Sequence, residues 1–255
     1  MEFRTKVNIE KPVRQINIRD SIACVGSCFA DHIGRMLQEH EFRVTVNPRG
    51  TMYNPASVWH TVQTLPTVDT LIVTLGTARV YILKESGEIV DNCEKRPAKL
   101  FEERDLDISE CAAYLEQCVE RARHTIITVS PIRYAKYGFH GSQLSKARLL
   151  LAADSVCKRH PDRASYFPAY EIFNDELRDY RFYAADMLHP SSQSIDYIWE
   201  RLSETYFDEE TQQWLRELEP IRRALAHRPF NPESEEYKQF RAEAEAKFAA
   251  LKAKL

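Results

Sequence analysis

The sequence predicts an α/β fold in which a parallel β-sheet carries helices on both faces. Short apolar segments rich in β-branched residues alternate along the chain with segments of helical spacing. Two of the strand segments, residues 70–75 and 125–129, are apolar on both faces, as is typical of the interior of a parallel sheet. Gly76 follows the first of them and Ser130 the second. These observations favour one sheet built from strand–helix–strand units.

The strands are predicted from their apolar or alternating composition and from the turn residues that end them. They are residues 21–25, 42–46, 70–75, 125–129 and 165–167. After the third strand, two short apolar runs at residues 79–83 and 89–90 flank a polar Glu-Ser-Gly-Glu turn. This pattern predicts a β-hairpin inserted into the α/β order.

The helices are predicted from apolar spacing and from their start signals. They are residues 29–38, 55–64, 109–123, 143–158, 191–202, 211–225 and 235–255. Pro55 is a good first helical residue, and Ser191 is a good N-cap behind Pro190. Residues 171–182 are polar and aromatic and are predicted as a loop. The last helix carries an apolar stripe that includes Tyr237 and Phe248, so it should pack on something.

The length of 255 residues suits one large α/β domain and is short for two. We expect residues 1–205 to form this domain. Residues 206–255 are expected to form a helical extension, packed on the domain or on a partner. The sequence leaves the oligomeric state open.

Composition narrows the class of protein. The net charge of −3 gives no electrostatic case for nucleic acid or for an anionic membrane as a partner. No apolar run reaches the roughly 18 residues of a membrane helix, and the N-terminus lacks the apolar core of a signal peptide. The six cysteines form no CxxC pair and no metal-ligand spacing with histidine. We therefore expect reduced thiols, no metal site and a cytoplasmic protein.

A candidate nucleophile lies where the first strand becomes the first helix, at Gly26-Ser27-Cys28. The positive end of a helix dipole should lower the pKa of a thiol at this position and favour the thiolate. Free backbone N–H groups of the first helical turn are suited to bind an oxyanion. In the alternative interpretation, Ser27 is an N-cap and Cys28 is a small buried apolar residue.

A candidate acid–base pair lies far downstream, at Asp186 and His189. A carboxylate three residues before a histidine can fix the imidazole tautomer and stabilise the imidazolium. The alternative is a surface aspartate and a histidine in the turn before Pro190. Asp31 and His32, which follow the candidate nucleophile directly, point away from each other on a helix and are interpreted as solvated surface.

Two glycines that follow strands, Gly50 and Gly76, are candidate oxyanion donors because no Cβ blocks close approach to their N–H groups. Ordinary turns are the alternative. Several cations fall near predicted strand ends and form either an anion pocket or a solvated surface. They are Arg79, Lys95, Arg96, Arg133, Lys146, Arg178 and Arg181.

Residues 26–30 read Gly-Ser-Cys-Phe-Ala, and this segment resembles the motif that names the GSCFA family. Further segments resemble other motifs of that family, in order, over about residues 1–205. They begin at Asn47, Thr74, Asn92, Thr128, Leu144, Tyr166 and Asp175. The family in turn resembles the SGNH (GDSL-like) hydrolases. The resemblance therefore implies a three-layer α/β/α sandwich with a flavodoxin-like parallel sheet.

The resemblance to SGNH hydrolases also implies site residues. Cys28 falls on the position of the nucleophilic serine, and Gly50 on a second-block glycine. Asp186 and His189 match the acid–base block fully. Gly76 matches the third block, but Ala78 stands where the superfamily has an asparagine that binds the oxyanion. Asn92, beyond the hairpin, is a candidate replacement for that donor.

These observations predict a hydrolase or acyltransferase that acts on an ester or acyl group of a carbohydrate or a small hydroxylated metabolite. Cys28 is the expected nucleophile, with Ser27 in reserve, and no cofactor is implied. One alternative is a non-catalytic ligand-binding or assembly protein on a degenerate SGNH scaffold, which Ala78 favours. Another is a phosphodiesterase-like site in which loop arginines hold phosphate.

Overall fold

The structure, a computed structural model, describes residues 4–91, 93 and 95–255. Its centre is a five-stranded sheet with the order β2-β1-β3-β7-β8, in which every pair is parallel. Its strands are β1 (Ser21–Gly26), β2 (Arg43–Val46), β3 (Val68–Leu75), β7 (Ala122–Val129) and β8 (Ala164–Tyr166). The chain thus has the predicted α/β fold, and all five predicted strands are present.

Helices cover both faces of the sheet. They are α1 (Cys28–Glu39), α2 (Pro55–Val62), α3 (Ile108–Val119), α4 (Gly138–Arg159), α5 (Ala169–Glu171), α6 (Ser192–Tyr206), α7 (Glu209–Ala226) and α8 (Glu235–Lys252). One core cluster joins α1, α6 and α7 through Phe29, Ile198 and Trp214. The other joins α2, α3 and α4 and includes Leu115 and Leu149. The molecule is therefore a three-layer α/β/α sandwich, as the resemblance implies.

The predicted hairpin is present as β4 (Arg79–Leu83) and β5 (Ile89–Val90), which pair antiparallel. A third strand, β6 (Phe101–Asp105), pairs with the other edge of β4 and is absent from the sequence prediction. Its sequence reads Phe-Glu-Glu-Arg-Asp, and only Phe101 is buried. An exposed strand of this kind has no apolar alternation by which it can be recognised.

The prediction of a loop over residues 171–182 is partly wrong. After the short α5, residues Ile172–Leu177 form a wide helical segment. Its Glu176 carboxylate is buried and accepts hydrogen bonds from Arg201 Nη1 at 2.6 Å, from the hydroxyl of Tyr197 and from the N–H of Val7 at 3.0 Å. Because charged residues are rarely buried, a sequence that contains Glu176 predicts an exposed loop, although the segment is ordered and the charge is paired.

The C-terminal helices pack on the α/β body. Trp214 of α7 is buried, and its indole N–H donates to the carbonyl of His40 at 3.1 Å. Leu251 of α8 is buried in the same core cluster, whereas Phe240 is 42% exposed. The boundary at residue 205 stays a prediction. Among the helices of the described residues, none is long and apolar enough to span a bilayer.

Parallel pairing brings the carboxyl ends of the strands to one edge of the sheet, where ligands bind in such folds. Hydrogen bonds tie these ends together. The N–H of Ser27 donates to the carbonyl of Thr74 at 3.0 Å, and the N–H of Ser130 donates to that of Leu75 at 2.8 Å. The residues that follow β1 and β7 therefore lie beside the end of β3, and this edge defines where a site can lie.

Candidate active site

The turn between β1 and α1 is built around Ser27, the N-cap of α1. Its hydroxyl accepts a hydrogen bond from the N–H of Phe29 at 3.3 Å and lies 3.0 Å from the hydroxyl of Thr74. The side chain is fully buried. The capping interpretation thus accounts for the contacts of Ser27, and its role as a reserve nucleophile stays a prediction.

Cys28 begins α1 and is partly exposed. The pKa of its thiol is raised, mainly by burial and then by the carboxylate of Asp31. The charge of Lys146 and the N–H groups of Cys28 and Phe29 act in the opposite direction. The expectation of a lowered thiol pKa is therefore wrong, because desolvation outweighs the helix terminus.

Asp31 is not the solvated surface residue that the sequence suggests. Its carboxylate accepts hydrogen bonds from Asn47 Nδ2 at 2.7 Å and from the hydroxyl of Thr51 at 3.2 Å. The side-chain oxygen of Asn47 in turn accepts from the N–H of Gly26 at 2.8 Å. Asn47 therefore connects the nucleophile turn to the loop that follows β2. In the sequence, Asn47 stands out only as the first residue of one of the segments that resemble GSCFA motifs.

The two glycines predicted to bind an oxyanion have other partners for their N–H groups. Gly50 donates to the carbonyl of Asn47 at 2.8 Å, and Gly76 donates to that of Tyr53 at 2.8 Å. Neither N–H is free in this conformation, and an oxyanion role for either glycine stays a prediction. At the start of α1, the N–H groups of Phe29 and Ala30 donate to Ser27 at 3.3 and 2.7 Å, so the proposal made below assigns the oxyanion to the N–H of Cys28.

Ala78, which stands at the position of the superfamily's asparagine, has its methyl group in the apolar core and is fully buried. Its N–H donates to the hydroxyl of Ser145 at 2.7 Å. This position is therefore part of the packing between β4 and α4. Asn92, the candidate replacement donor, lies outside the described residues.

Asp186 and His189 form the predicted pair. Asp186 Oδ2 lies 2.6 Å from His189 Nδ1, and Oδ1 accepts the N–H groups of Leu188 at 2.9 Å and of His189 at 3.0 Å. These bonds, the backbone ones first, lower the pKa of Asp186 to about 2. A carboxylate at Nδ1 favours the tautomer with its proton there, which leaves Nε2 as the acceptor.

The loop that carries His189 is tied to the loop that follows β7. The N–H of Arg133 donates to the carbonyl of Leu188 at 3.1 Å, and its Nη1 donates to that of Met187 at 3.2 Å. The guanidinium lies 4.1 Å from the ring centre of Phe139. Arg133, one of the candidate anion-pocket cations, therefore positions the histidine loop at the carboxyl edge of the sheet.

His189 is near enough to His32 of α1 for its charge to act on that residue's pKa. The pKa of His32 is lowered mainly by burial, then by Arg35, and also by the charge of His189. His32 lies about one helical turn beyond Cys28. The structure thus pairs Asp186 with His189, and a shared site of this pair with Cys28 stays a prediction.

Lys146 of α4 is buried, although its charge suggested a place in an anion pocket or on a solvated surface. It is 2% exposed, and its Nζ donates to the carbonyl of Ser130 at 2.6 Å. Burial lowers its pKa to about 7. The burial of Lys146 could have been predicted from the sequence, because Lys146 falls at the helical spacing of the buried positions of α4. They are Ser142, Ser145, Lys146, Leu149, Ala152, Ala153 and Val156.

The other candidate cations do not converge on one pocket. Arg79 forms an ion pair with Asp105 at 2.9 Å. Arg181 pairs with Asp179 at 3.3 Å, and Arg178 pairs with Asp175 at 3.7 Å. A single anion pocket made from the whole set is therefore not present in the described part of the chain.

The fold is that of the SGNH/GDSL hydrolases. The chain superposes on LAE5, an alpha/beta hydrolase enzyme from the metagenome of Lake Arreo, Spain, with a TM-score of 0.52 at 12% identity, covering 75% of this chain and 96% of that one. A catalytic mutant of Axe2, an acetylxylan esterase from Geobacillus stearothermophilus, gives 0.51 at 12% identity, with 76% and 97% covered.

The chain belongs to the GSCFA family, whose model matches residues 21–67 and 60–202. A second model, described as the C-terminal domain of GSCFA domain proteins, matches residues 218–255. No curated protein matches the sequence.

Proposed function

We propose that this protein cleaves or transfers an acyl group held as an ester on a carbohydrate or a small hydroxylated metabolite. The observation that carries the proposal is the Asp186–His189 pair, 2.6 Å apart, on a loop anchored at the sheet edge where Cys28 begins α1. A carboxylate, an imidazole and a thiol on one edge are the groups that acyl transfer requires. One structural neighbour, Axe2, is an acetylxylan esterase, which agrees with this class.

In this proposal, Cys28 Sγ attacks the acyl carbon while His189 shuttles the proton. Asp186 holds the imidazole and stabilises its charged form. The N–H of Cys28 stabilises the oxyanion, aided by the helix dipole. Collapse of the tetrahedral intermediate breaks the ester C–O bond and leaves a thioester on Cys28. Water then completes hydrolysis, or a second hydroxyl accepts the acyl group.

We test the role of Cys28 with acetylated xylo-oligosaccharides and with aryl acetates as substrates. The Cys28→Ala variant is expected to lose acetyl release, since the nucleophile is gone. Cys157→Ala is the matched control, because Cys157 lies on α4 and is likewise partly exposed. Full activity of Cys28→Ala on a substrate that the wild type cleaves would overturn the assignment.

A second candidate function is non-catalytic binding of a glycan or an anionic ligand on the same scaffold. It is favoured by the raised pKa of Cys28 and by the structural partners of the Gly50 and Gly76 N–H groups. It predicts saturable binding of an acetylated oligosaccharide with no acetyl release. The six free thiols fit the reducing cytoplasm, which we propose as the location.

A further inference from the structure

Two of the candidate cations, Arg133 and Lys146, meet at one small cavity at the carboxyl edge of the sheet. The cavity has a volume of about 70 Å³ and lies between the loop that follows β7, the first turns of α4 and the segment that follows β8. Phe139 and Tyr170 also line it. This volume can hold water molecules or one small group such as a carboxylate.

Lys146 brings to this cavity a charge that no nearby group neutralises. Its side chain is 2% exposed, and its one hydrogen bond is to the carbonyl of Ser130 at 2.6 Å. Among the described residues, no carboxylate lies within 4.0 Å of its Nζ. An ammonium has three N–H donors, so donors remain for a ligand. Because a buried unpaired charge is costly, an anion in the cavity would be stabilised by Lys146.

Arg133 is the second cation of the cavity. Its Nη1 donates to the carbonyl of Met187 at 3.2 Å, and its guanidinium lies 4.1 Å from the ring centre of Phe139. In the part of the chain that the structure describes, no carboxylate lies within 4.0 Å of this guanidinium. A guanidinium has five N–H donors in a planar fork that matches the two oxygens of a carboxylate, so the bond to Met187 leaves donors for one.

The other polar groups of the lining add no negative charge. Gln143 Oε1 accepts from the hydroxyl of Tyr170 at 2.8 Å, so its amide N–H groups are the end left for a ligand. Asn174 Nδ2 donates to the carbonyl of Tyr170 at 2.7 Å. Of the described residues that line the cavity, none is Asp or Glu. The carboxylate of Glu171, nearby in the chain, accepts from the hydroxyl of Tyr166 at 2.9 Å.

We propose that this cavity binds a carboxylate group between Arg133 and Lys146. A planar group with two oxygens suits the small volume and the guanidinium fork. The cavity borders the loop that carries His189, because Arg133 also donates to the carbonyls of Leu188 and Met187. In the acyl-transfer reaction, which rests on the proposed function, the carboxylate belongs to the substrate. That substrate is then an ester with a carboxylate on its acyl side or on its alcohol side.

Binding of acetate tests the cavity without any reaction. Calorimetric titration at constant ionic strength compares acetate with its neutral analogue acetamide, at a pH below the Lys146 pKa of about 7, where the ammonium form predominates. We expect the wild type to bind acetate more tightly than acetamide by about 10-fold or more. Equal binding of the two compounds, or no binding of acetate, would overturn the proposal.

Lys146→Gln is expected to lose the preference for acetate, because it removes the charge and keeps a donor for the Ser130 carbonyl. Lys158→Gln is the matched control. Lys158 lies on the same helix but is exposed and pairs with Asp154 at 2.8 Å, so this variant should retain the preference. Retention in Lys146→Gln would contradict the site. If Lys146→Gln does not fold, Lys146→Met, with an apolar side chain of similar length, takes its place.

Paired esters test whether the carboxylate belongs to the substrate. For the alcohol side, 3-acetoxybenzoate is compared with 3-acetoxybenzamide. For the acyl side, monophenyl adipate is compared with its amide. In one of the pairs, we expect the wild type and Lys158→Gln to prefer the acid by about 10–10²-fold in kcat/KM, and Lys146→Gln to lose that preference. The pair that shows the preference identifies the side that carries the carboxylate.

The ratio of kcat/KM for the acid to that for the amide separates binding from a structural role. If Lys146 only supports the fold, Lys146→Gln changes both values by the same factor, and the unchanged ratio would overturn the proposal. No preference in either pair would overturn it as a feature of the substrate. Failure of the proposed function has a different signature, in which none of the esters is cleaved while acetate still binds through Lys146.

Discussion

Replacing His189 with alanine is expected to lower kcat for ester cleavage by about 10²–10⁴-fold while the protein stays folded. The variant removes the group that we propose as the proton shuttle, and it leaves Asp186 without the imidazole that lies 2.6 Å from it. The side chain is 40% exposed, so little packing is lost. Steady-state kinetics with an acetylated substrate and a melting curve provide the two readouts.

His32 supplies the matched control for this prediction. It is a partly buried histidine on the same edge, and His189 acts on its pKa. Among the residues that the structure describes, no carboxylate pairs with His32 as Asp186 pairs with His189, and we expect His32→Ala to change kcat by no more than a few-fold. A large loss in His32→Ala together with normal activity in His189→Ala would reassign the base.

Replacing Gly26 with alanine is expected to reduce the free energy of unfolding by more than about 3 kcal/mol. Gly26 ends β1 with a φ of 146°, which L side chains rarely adopt. A Cβ there would lie 2.0 Å from the carbonyl oxygen of Thr74, which is backbone of the neighbouring strand. The sheet would have to separate at the nucleophile turn. Denaturant-induced unfolding measures the loss.

Gly50→Ala is the matched control, because it separates backbone strain from the clash. Gly50 also has a positive φ, of 89°, but nothing lies within 4 Å of its Cβ position. We expect it to cost about 1–2 kcal/mol, the strain of the left-handed conformation alone. Equal losses in the two variants would contradict the close approach of Gly26 to β3.

The sequence predicts the central sheet well because its strands are buried on both faces. Residues 70–75 and 125–129 are apolar without alternation, and both lie in the middle of the parallel sheet, in β3 and β7. The strand β6 has one buried residue, so its charged sequence resembles a loop. Hydrophobic patterns in a sequence predict which residues are buried. An exposed edge strand has few buried residues, so its sequence lacks such a pattern.

The pKa values and the burial of charged groups in the candidate site are harder to predict from the sequence than the candidate residues themselves. Cys28, Asp186 and His189 are proposed as site residues from their motifs, and the Asp186–His189 contact is observed. The pKa of Cys28 is set mainly by how deeply the start of α1 is buried, which the position of a residue at a helix N-terminus does not reveal. Lys146 was classed by its charge, although its helical spacing with Leu149 and Ala153 placed it on the buried face of α4.

The labelling of Cys28 by an acylating substrate tests the central claim most directly. An aryl dimethylcarbamate transfers a carbamoyl group that hydrolyses slowly, so the covalent intermediate accumulates and can be mapped by peptide mass spectrometry. We predict one carbamoyl group per chain, on Cys28, formed far more slowly in His189→Ala. A label on Ser27 or elsewhere, or no label while the ester is still cleaved, would contradict a thiol nucleophile served by His189.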